Sequence, residues 1–189
     1  MNKQLIECVP NFSEGRDLAI IKQITNEIES VDGVKLLDVD PGAATNRTVV
    51  TFVGTPQAVV DAAYKAIVKA GELIDMSKQT GEHARMGATD VCPFIPVANI
   101  NMEETANWAI KLAKLVGETT HIATYLYGAS QPNTKRNVLS IIRAGEYEGF
   151  FEKIKNPEWK PDFGPSVYSA KSGATTIGAR DFLIAYNVN

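Results

Sequence analysis

Residues 33–60, GVKLLDVDPGAATNRTVVTFVGTPQAVV, decide the fold of this chain. Val34 to Val39 reads as a strand, Asp40-Pro41-Gly42 opens a polar loop that ends at Asn46, and the β-branched run Thr48 to Val53 reads as the next strand. Gly54-Thr55-Pro56 then starts a helix. Thr55 stands at the N-cap and Pro56 at the first helical position, where a missing N–H costs nothing.

The pattern extends in both directions. Before it, Gln4 to Val9 reads as a strand and Pro10 to Gly15 as a turn; Leu18, Ile20, Ile21, Ile24, Ile28 and Val31 then recur at helical spacing until Gly33 stops the helix. After it, the helix from Pro56 to about Met76 presents Val59, Val60, Ala63, Ile67, Val68, Ala70, Leu73 and Ile74 on a broad apolar face, and Asp90 to Val97 forms a fourth strand. The order βαββαβ predicts an α+β, ferredoxin-like fold: an antiparallel sheet with both helices on one face and the other face open to a cover or a ligand. A C-terminal extension follows. It comprises a helix from Met102 to about Gly117 with Trp108 in its core face, a short strand Ala123 to Tyr127, a helical segment Val138 to Ile142, an irregular stretch Asn156 to Gly173 with three prolines and two glycines, and a last strand Phe182 to Val188.

Composition narrows the function classes. A chain of 189 residues with 44% hydrophobic and 22% charged side chains has enough apolar material for one core. Its net charge of −3, with basic and acidic residues interspersed, offers no footprint for nucleic acid or an anionic membrane. The opening MNKQLIECVPNFSEG has only a short apolar stretch broken by Glu7, and no window approaches a membrane span. Cys8 and Cys92 sit in apolar strand-like runs without ligand or disulfide spacing, so the expectation is a reduced, cytoplasmic protein.

The chemistry concentrates in residues 80–97, TGEHARMGATDVCPFIPV. His83 lies in a polar loop between Gly81 and Gly87, flanked by Glu82 and Arg85, and runs directly into an apolar strand. A loop histidine among charges is most often a solvated side chain. An imidazole titrating near neutral pH on a loop carried by rigid elements is equally a candidate general acid or base. No metal is expected, because the two histidines are separated by a helix and a strand and neither has a carboxylate at ligand spacing.

The string GEHARMGATDVCPFIPV, with ECVPNFSEGR, LLDVDPGAATNRTVVTFVG, YLYG, IRAGEYEG and PDFGPS in the same order, resembles the formiminotransferase family, and more narrowly its amino-terminal subdomain, from about Leu5 to Asn187. The resemblance implies transfer of a formimino group from N-formiminoglutamate to N5 of tetrahydrofolate, a co-substrate, in histidine breakdown. It also implies that residues 1–189 correspond to one subdomain, with the family's second subdomain outside this chain, and that the site lies in a cleft between the two. A homodimer is an alternative closure. Formyl transfer between glutamate and 5-formyltetrahydrofolate, or a non-catalytic folate-binding module, are the competing functions.

Within that resemblance His83 matches the catalytic histidine. Asp40 is a candidate to orient the imidazole or raise its pKa, against a plain loop-capping role, and Asp38 on the same strand is its backup. Arg47 and Arg85 are candidates to grip a substrate carboxylate, against ordinary surface ion pairing. Gly164, Pro165, Ser166, Val167, Tyr168, Ser169, Ala170, Lys171, Ser172 and Gly173 correspond to the folate-binding segment. There the glycines and proline shape the backbone, the serines offer hydrogen bonds, Tyr168 offers a ring to stack and Lys171 a charge for the acidic tail. Composition alone reads the same segment as a surface loop. His121 reads as a helix-end residue and Ser13-Glu14-Gly15 as a structural turn.

Overall fold

The computed structural model describes residues 3–183. Two strands in line, β1 (Leu5–Cys8) and β2 (Asn11–Phe12), precede α1 (Leu18–Glu29), β3 (Val34–Gly42), β4 (Arg47–Gly54), α2 (Pro56–Leu73) and β5 (Thr89–Ala98). Then come α3 (Met102–Thr120), β6 (Ala123–Gly128), two short helices α4 (Leu139–Arg143) and α5 (Glu146–Lys153), and β7 (Ala174–Ala179). The helix starts follow local chemistry. Asp17 caps α1 by accepting from the N–H groups of Ala19 and Ile20, and Asn101 caps α3 in a reciprocal box with Glu104.

The α+β class expected from the sequence holds, with a sheet larger than four strands. β3 pairs with β4, β4 with β1 and β2, and these with β5, all antiparallel. β1 and β2 act as one strand broken at Val9-Pro10: Pro10 has no N–H to give, yet its carbonyl still accepts from Val50 N at 3.0 Å. β5 then pairs in parallel with β7, and β7 in parallel with β6. The antiparallel pairing expected for the βαββαβ unit holds from β1 to β5, and the C-terminal extension adds the two parallel strands. The sequence pattern assigns no element to Ala174–Ala179, since ATTIGA is short and carries a glycine, but parallel pairing on both sides buries all six of its residues.

α1 and α2 share one face, as the βαββαβ reading expects, and the extension places α4 and α5 on the other. On the first face, Ile24 and Ile28 of α1, Val59, Ala63 and Ile67 of α2, and Leu112 and Val116 of α3 pack against Ile6, Cys8, Val50, Phe52 and Phe94. On the second face, Ile142 of α4 and Phe150 of α5 pack on Val91, Ala123, Tyr125 and Tyr127. Strand alternation produces the split, since Leu126 joins the first core while Tyr125 and Tyr127 join the second. α4 and α5 cover the second face only toward β5, β6 and β7. Leu37 of β3 and Val97 of β5 stay exposed.

Several boundaries move. β3 runs on through Asp40-Pro41-Gly42, because the hairpin partner Arg47–Val49 extends the ladder that far. α3 continues to Thr120 and ends at His121, which adopts φ +59 as the C-cap. The strand expected over Phe182 to Val188 falls, from residue 184 onward, outside the described residues. Among the described residues no helix is long and apolar enough to cross a membrane.

Candidate active site

The bulge where β2 meets β5 builds the site. Asn11 pairs with Val91 and Phe12 with Thr89, so Asp90 is the extra residue on β5, and a bulge of this kind re-aims its side chain. Asp90 is 1% exposed. A carboxylate so buried must be paired, and it is: its Oδ1 accepts from the Met86 backbone N–H at 2.9 Å, and its Oδ2 accepts from Arg47 Nη1 at 2.9 Å and Arg143 Nη2 at 2.7 Å.

Arg47, the first residue of β4, is fixed on its other edge by Asn11, whose Oδ1 accepts from Nε at 2.9 Å and also from Nη2. The Asn11 amide is itself oriented by donating to Val9 O at 2.8 Å. Burial, and the neighbouring Arg143 charge, lower the Arg47 pKa from its ordinary value while Asp90 opposes them. A guanidinium stays charged through such a shift.

His83 completes the group. Its Nδ1 lies 2.9 Å from Arg47 Nη1 and 2.7 Å from Ala84 O. A proton on Nδ1 donates to the Ala84 carbonyl, whereas a lone pair there would accept the second Nη1 hydrogen of Arg47, whose first goes to Asp90. The shorter contact, to Ala84 O, favours the neutral tautomer protonated at Nδ1, which leaves a lone pair at Nε2. Burial lowers the His83 pKa below the usual imidazole value, and the Arg47 and Arg143 charges push the same way against the Ala84 carbonyl and Asp90. The same burial and positive charges favour the neutral ring over the imidazolium.

The 80–88 loop is held from several directions. Asn46, at φ +48 in the β3–β4 turn, donates to Thr80 O at 2.8 Å and accepts from Gly15 N at 3.0 Å. Ser13 Oγ donates to Gly87 O at 2.7 Å, which explains the Ser13-Glu14-Gly15 turn as a support for this loop. Gly87 and Gly173 form a bridge, and Ala88 N donates to Ser172 O at 2.9 Å, so the histidine loop and the 164–173 segment lie side by side.

The other expected site residues fall as follows. Arg85 stands apart from the histidine group: its Nε donates to Gln79 Oε1 at 2.6 Å and its Nη2 to Glu148 Oε1 at 2.7 Å, with Glu146 at 3.3 Å, tying the loop to the first turn of α5. Asp40 is exposed on β3 opposite Val49, and no hydrogen bond or ion pair joins it to His83; Asp38 is likewise exposed, opposite Thr51. Gly164 and Gly173 take φ +83 and +64, and a Cβ on Gly173 would lie 2.1 Å from Met86 O. Between them, Ser169 and Ser172 bond each other through their hydroxyls at 2.7 Å, and Lys171 Nζ donates to Glu72 O at 2.8 Å. Tyr168 is half-buried, its ring 5.9 Å from Tyr147, 6.1 Å from Phe150 and 5.4 Å from Phe151 between centroids. Pro165 is partly buried, whereas Ser166, Val167 and Ala170 are exposed.

Three residues of the group, Asn11, Asp90 and Arg143, were not singled out from the sequence. Asp90 carried a readable signal, a carboxylate opening the otherwise apolar run DVCPFIPV. Arg143, 53 positions from Asp90 and between Ile142 and Ala144, carried no signal of its own beyond its place in the motif IRAGEYEG.

A family model described as formiminotransferase domain, N-terminal subdomain, matches residues 5–180. The chain is 53% identical over 189 residues to a formimidoyltransferase-cyclodeaminase of Dictyostelium discoideum, covering 100% of this chain and 35% of that protein. It is 51% identical over 187 residues to a glutamate formimidoyltransferase of Thermoplasma acidophilum, covering 98% of this chain and 61% of that protein. A glutamate formimidoyltransferase of Streptococcus pyogenes serotype M1 is 40% identical over 186 residues, with 98% and 62% covered. The chain therefore spans about a third of the longer relatives, such as the first, and about three fifths of the shorter two. With a family model covering nearly its whole length, this chain belongs to the formiminotransferase family, in which it corresponds to the N-terminal subdomain.

Proposed function

We propose that this chain carries the base-bearing wall of a glutamate formimidoyltransferase, moving a formimino group from N-formiminoglutamate to N5 of tetrahydrofolate. The carrying observation is the His83 ring, held at Nδ1 by the Ala84 carbonyl at 2.7 Å, beside an Arg47 guanidinium and with its pKa lowered by burial. The names of the relatives support the donor and the formimino chemistry.

In this reading N5 forms a bond to the formimino carbon and gives up its proton to His83 Nε2. The tetrahedral adduct then breaks its bond to the glutamate nitrogen, which takes a proton back from the His83 imidazolium and leaves as the amine of glutamate. One imidazole serves both transfers, because the proton it takes from N5 is the one it returns to the leaving nitrogen. The Arg47–Asp90 pair holds the ring's surroundings rigid, which orientation-dependent chemistry rewards. The 164–173 segment, adjacent through the Gly87–Gly173 bridge, is the proposed folate element. Its backbone carbonyls at Ser169, Ala170, Lys171 and Ser172 are already engaged by the protein, while Ser166, Val167 and Ala170 are exposed. The second wall of the cleft is proposed to come from a further subdomain or a second copy, set in a cytoplasmic compartment.

The test is tetrahydrofolate-dependent release of glutamate from N-formiminoglutamate, measured for the 189-residue chain and for the intact protein. Turnover that requires both substrates, with N-formylglutamate inactive as donor, is the expected result. Folate binding without any transfer in the intact protein would leave only a binding module.

A further inference from the structure

Arg143 sits at the last position of α4, and it shares the Asp90 carboxylate with Arg47. Two guanidiniums converge on one carboxylate oxygen, and the other oxygen is taken by the Met86 backbone N–H. One negative charge thus faces two positive ones, with both arginine side chains only 14% exposed. Like charges so close repel each other, and a second anion beside Asp90 would offset the positive charge that Asp90 leaves unbalanced. The Arg143 Nε is moreover buried with no acceptor. A buried donor left without a partner is costly, and it marks the Arg143 guanidinium as incompletely satisfied by the protein's own groups.

The guanidinium is also delivered on a clamped turn. α4 is only five residues long, but the Lys153 ammonium donates to Ile141 O at 3.1 Å, to Ile142 O and to Ala144 O at 3.0 Å, bracketing Arg143 on both sides. Its charge is felt at His83, whose basicity it helps to depress. Arg85, the alternative anion binder, is in the opposite state. It meets Glu146, Glu148 and Gln79, two negative charges for its one positive, and has no charge to spare.

We propose that Arg143, acting with Arg47, forms a carboxylate-binding subsite beside His83 that receives a glutamate carboxylate of a substrate. The inference builds on the transferase reading above. Two sources share that chemistry: the N-formiminoglutamate donor and the glutamate tail of the folate. The donor is favoured, because the pair lies at the imidazole that must meet its formimino carbon.

The test follows the Arg143 Nε–H resonance in uniformly 15N-labelled chain, assigned by triple-resonance methods, as glutarate or its uncharged diamide is added. Glutarate is expected to shift this resonance saturably and the diamide to leave it in place. A resonance that glutarate does not move overturns the subsite, with no variant needed. In the intact protein, Arg143→Gln is expected to raise KM for N-formiminoglutamate at least tenfold while changing the folate KM less than twofold. The reverse pattern assigns the subsite to the folate tail, and two unchanged KM values overturn it. Should the wild-type protein transfer nothing while glutarate still shifts Arg143, the transferase reading falls and the carboxylate subsite stands.

Discussion

Gly87 and Gly173 face each other in an isolated antiparallel bridge, and through it the loop that carries His83 is sewn to the segment that resembles a folate site. Side chains are excluded there for steric reasons. A Cβ on Gly87 would lie 2.2 Å from Ala174 O, and one on Gly173 would lie 2.1 Å from Met86 O. The parallel pairing of β5 with β7 sets this approach, since both loops enter the sheet at the same end.

Gly173→Ala should therefore disturb both loops at once. Its φ of +64 is left-handed, and the added methyl meets a backbone carbonyl that cannot swing away. The conformational cost is about 1 kcal/mol before any clash, and with the clash we expect about 2 kcal/mol, read as a fall in Tm of about 4 to 8 °C for a chain of this size. Scanning calorimetry of the variant checks it, and an unchanged Tm would show that the bridge is dispensable.

His83→Ala is expected to lower transfer by about a hundred- to ten-thousand-fold with the fold intact, the usual range for loss of a general base. In the wild type the required form is the neutral ring, so kcat/KM should rise with pH through a midpoint below the ordinary imidazole value of about 6.5. The same shift acts on stability. The unfolded chain takes up this proton at higher pH than the folded one, so His83 costs stability as pH falls below about 6.5, and His83→Gln should flatten that part of the profile. A rate midpoint above 7 would contradict the environment described for the ring.

Asp90→Asn should be the most destabilising of the polar changes in the site. It removes the one charge that balances Arg47 and Arg143, both of which stay largely buried. Breaking such a pair costs about 3 to 5 kcal/mol, because the remaining charge is left uncompensated. Urea denaturation of the variant measures it. A cost under about 1 kcal/mol, the range of exposed ion pairs, would mean the carboxylate is not the anchor of the group.

Tyr168→Ala should weaken the fold as well as any ligand contact. The ring meets Tyr147, Phe150 and Phe151 and is half-buried, so we expect about 2 kcal/mol, below the range for a wholly buried aromatic. Tyr168→Phe keeps those contacts and should restore stability. Folate titration of the Phe variant then isolates the hydroxyl, and equal stability of the Ala variant and wild type would refute the packing role.

How much was legible depended on range. Strands and helices from β1 to α3 could be read because period-2 and period-3.6 apolar patterns, Thr55-Pro56 and Gly33 are local signals, each settled by neighbours within a turn or two. His83 could be read because its loop is local too, and motif order pointed to the family that the comparisons bear out. β7 could not, for its pairing with β5 and β6 supplies the burial that its own six residues do not advertise. Nor could the company His83 keeps. Asp90 is turned into the site by a bulge that exists only because β2 and β5 fall out of register by one residue, and Arg143 arrives from a five-residue helix clamped by Lys153. The sequence by itself determined the element order from β1 to α3, the α+β class and the histidine, because hydrophobic periodicity and turn chemistry act over a few residues. The tertiary structure alone decided which charges surround that histidine, because Coulomb and hydrogen-bond partners are chosen by distance in space and not by distance along the chain.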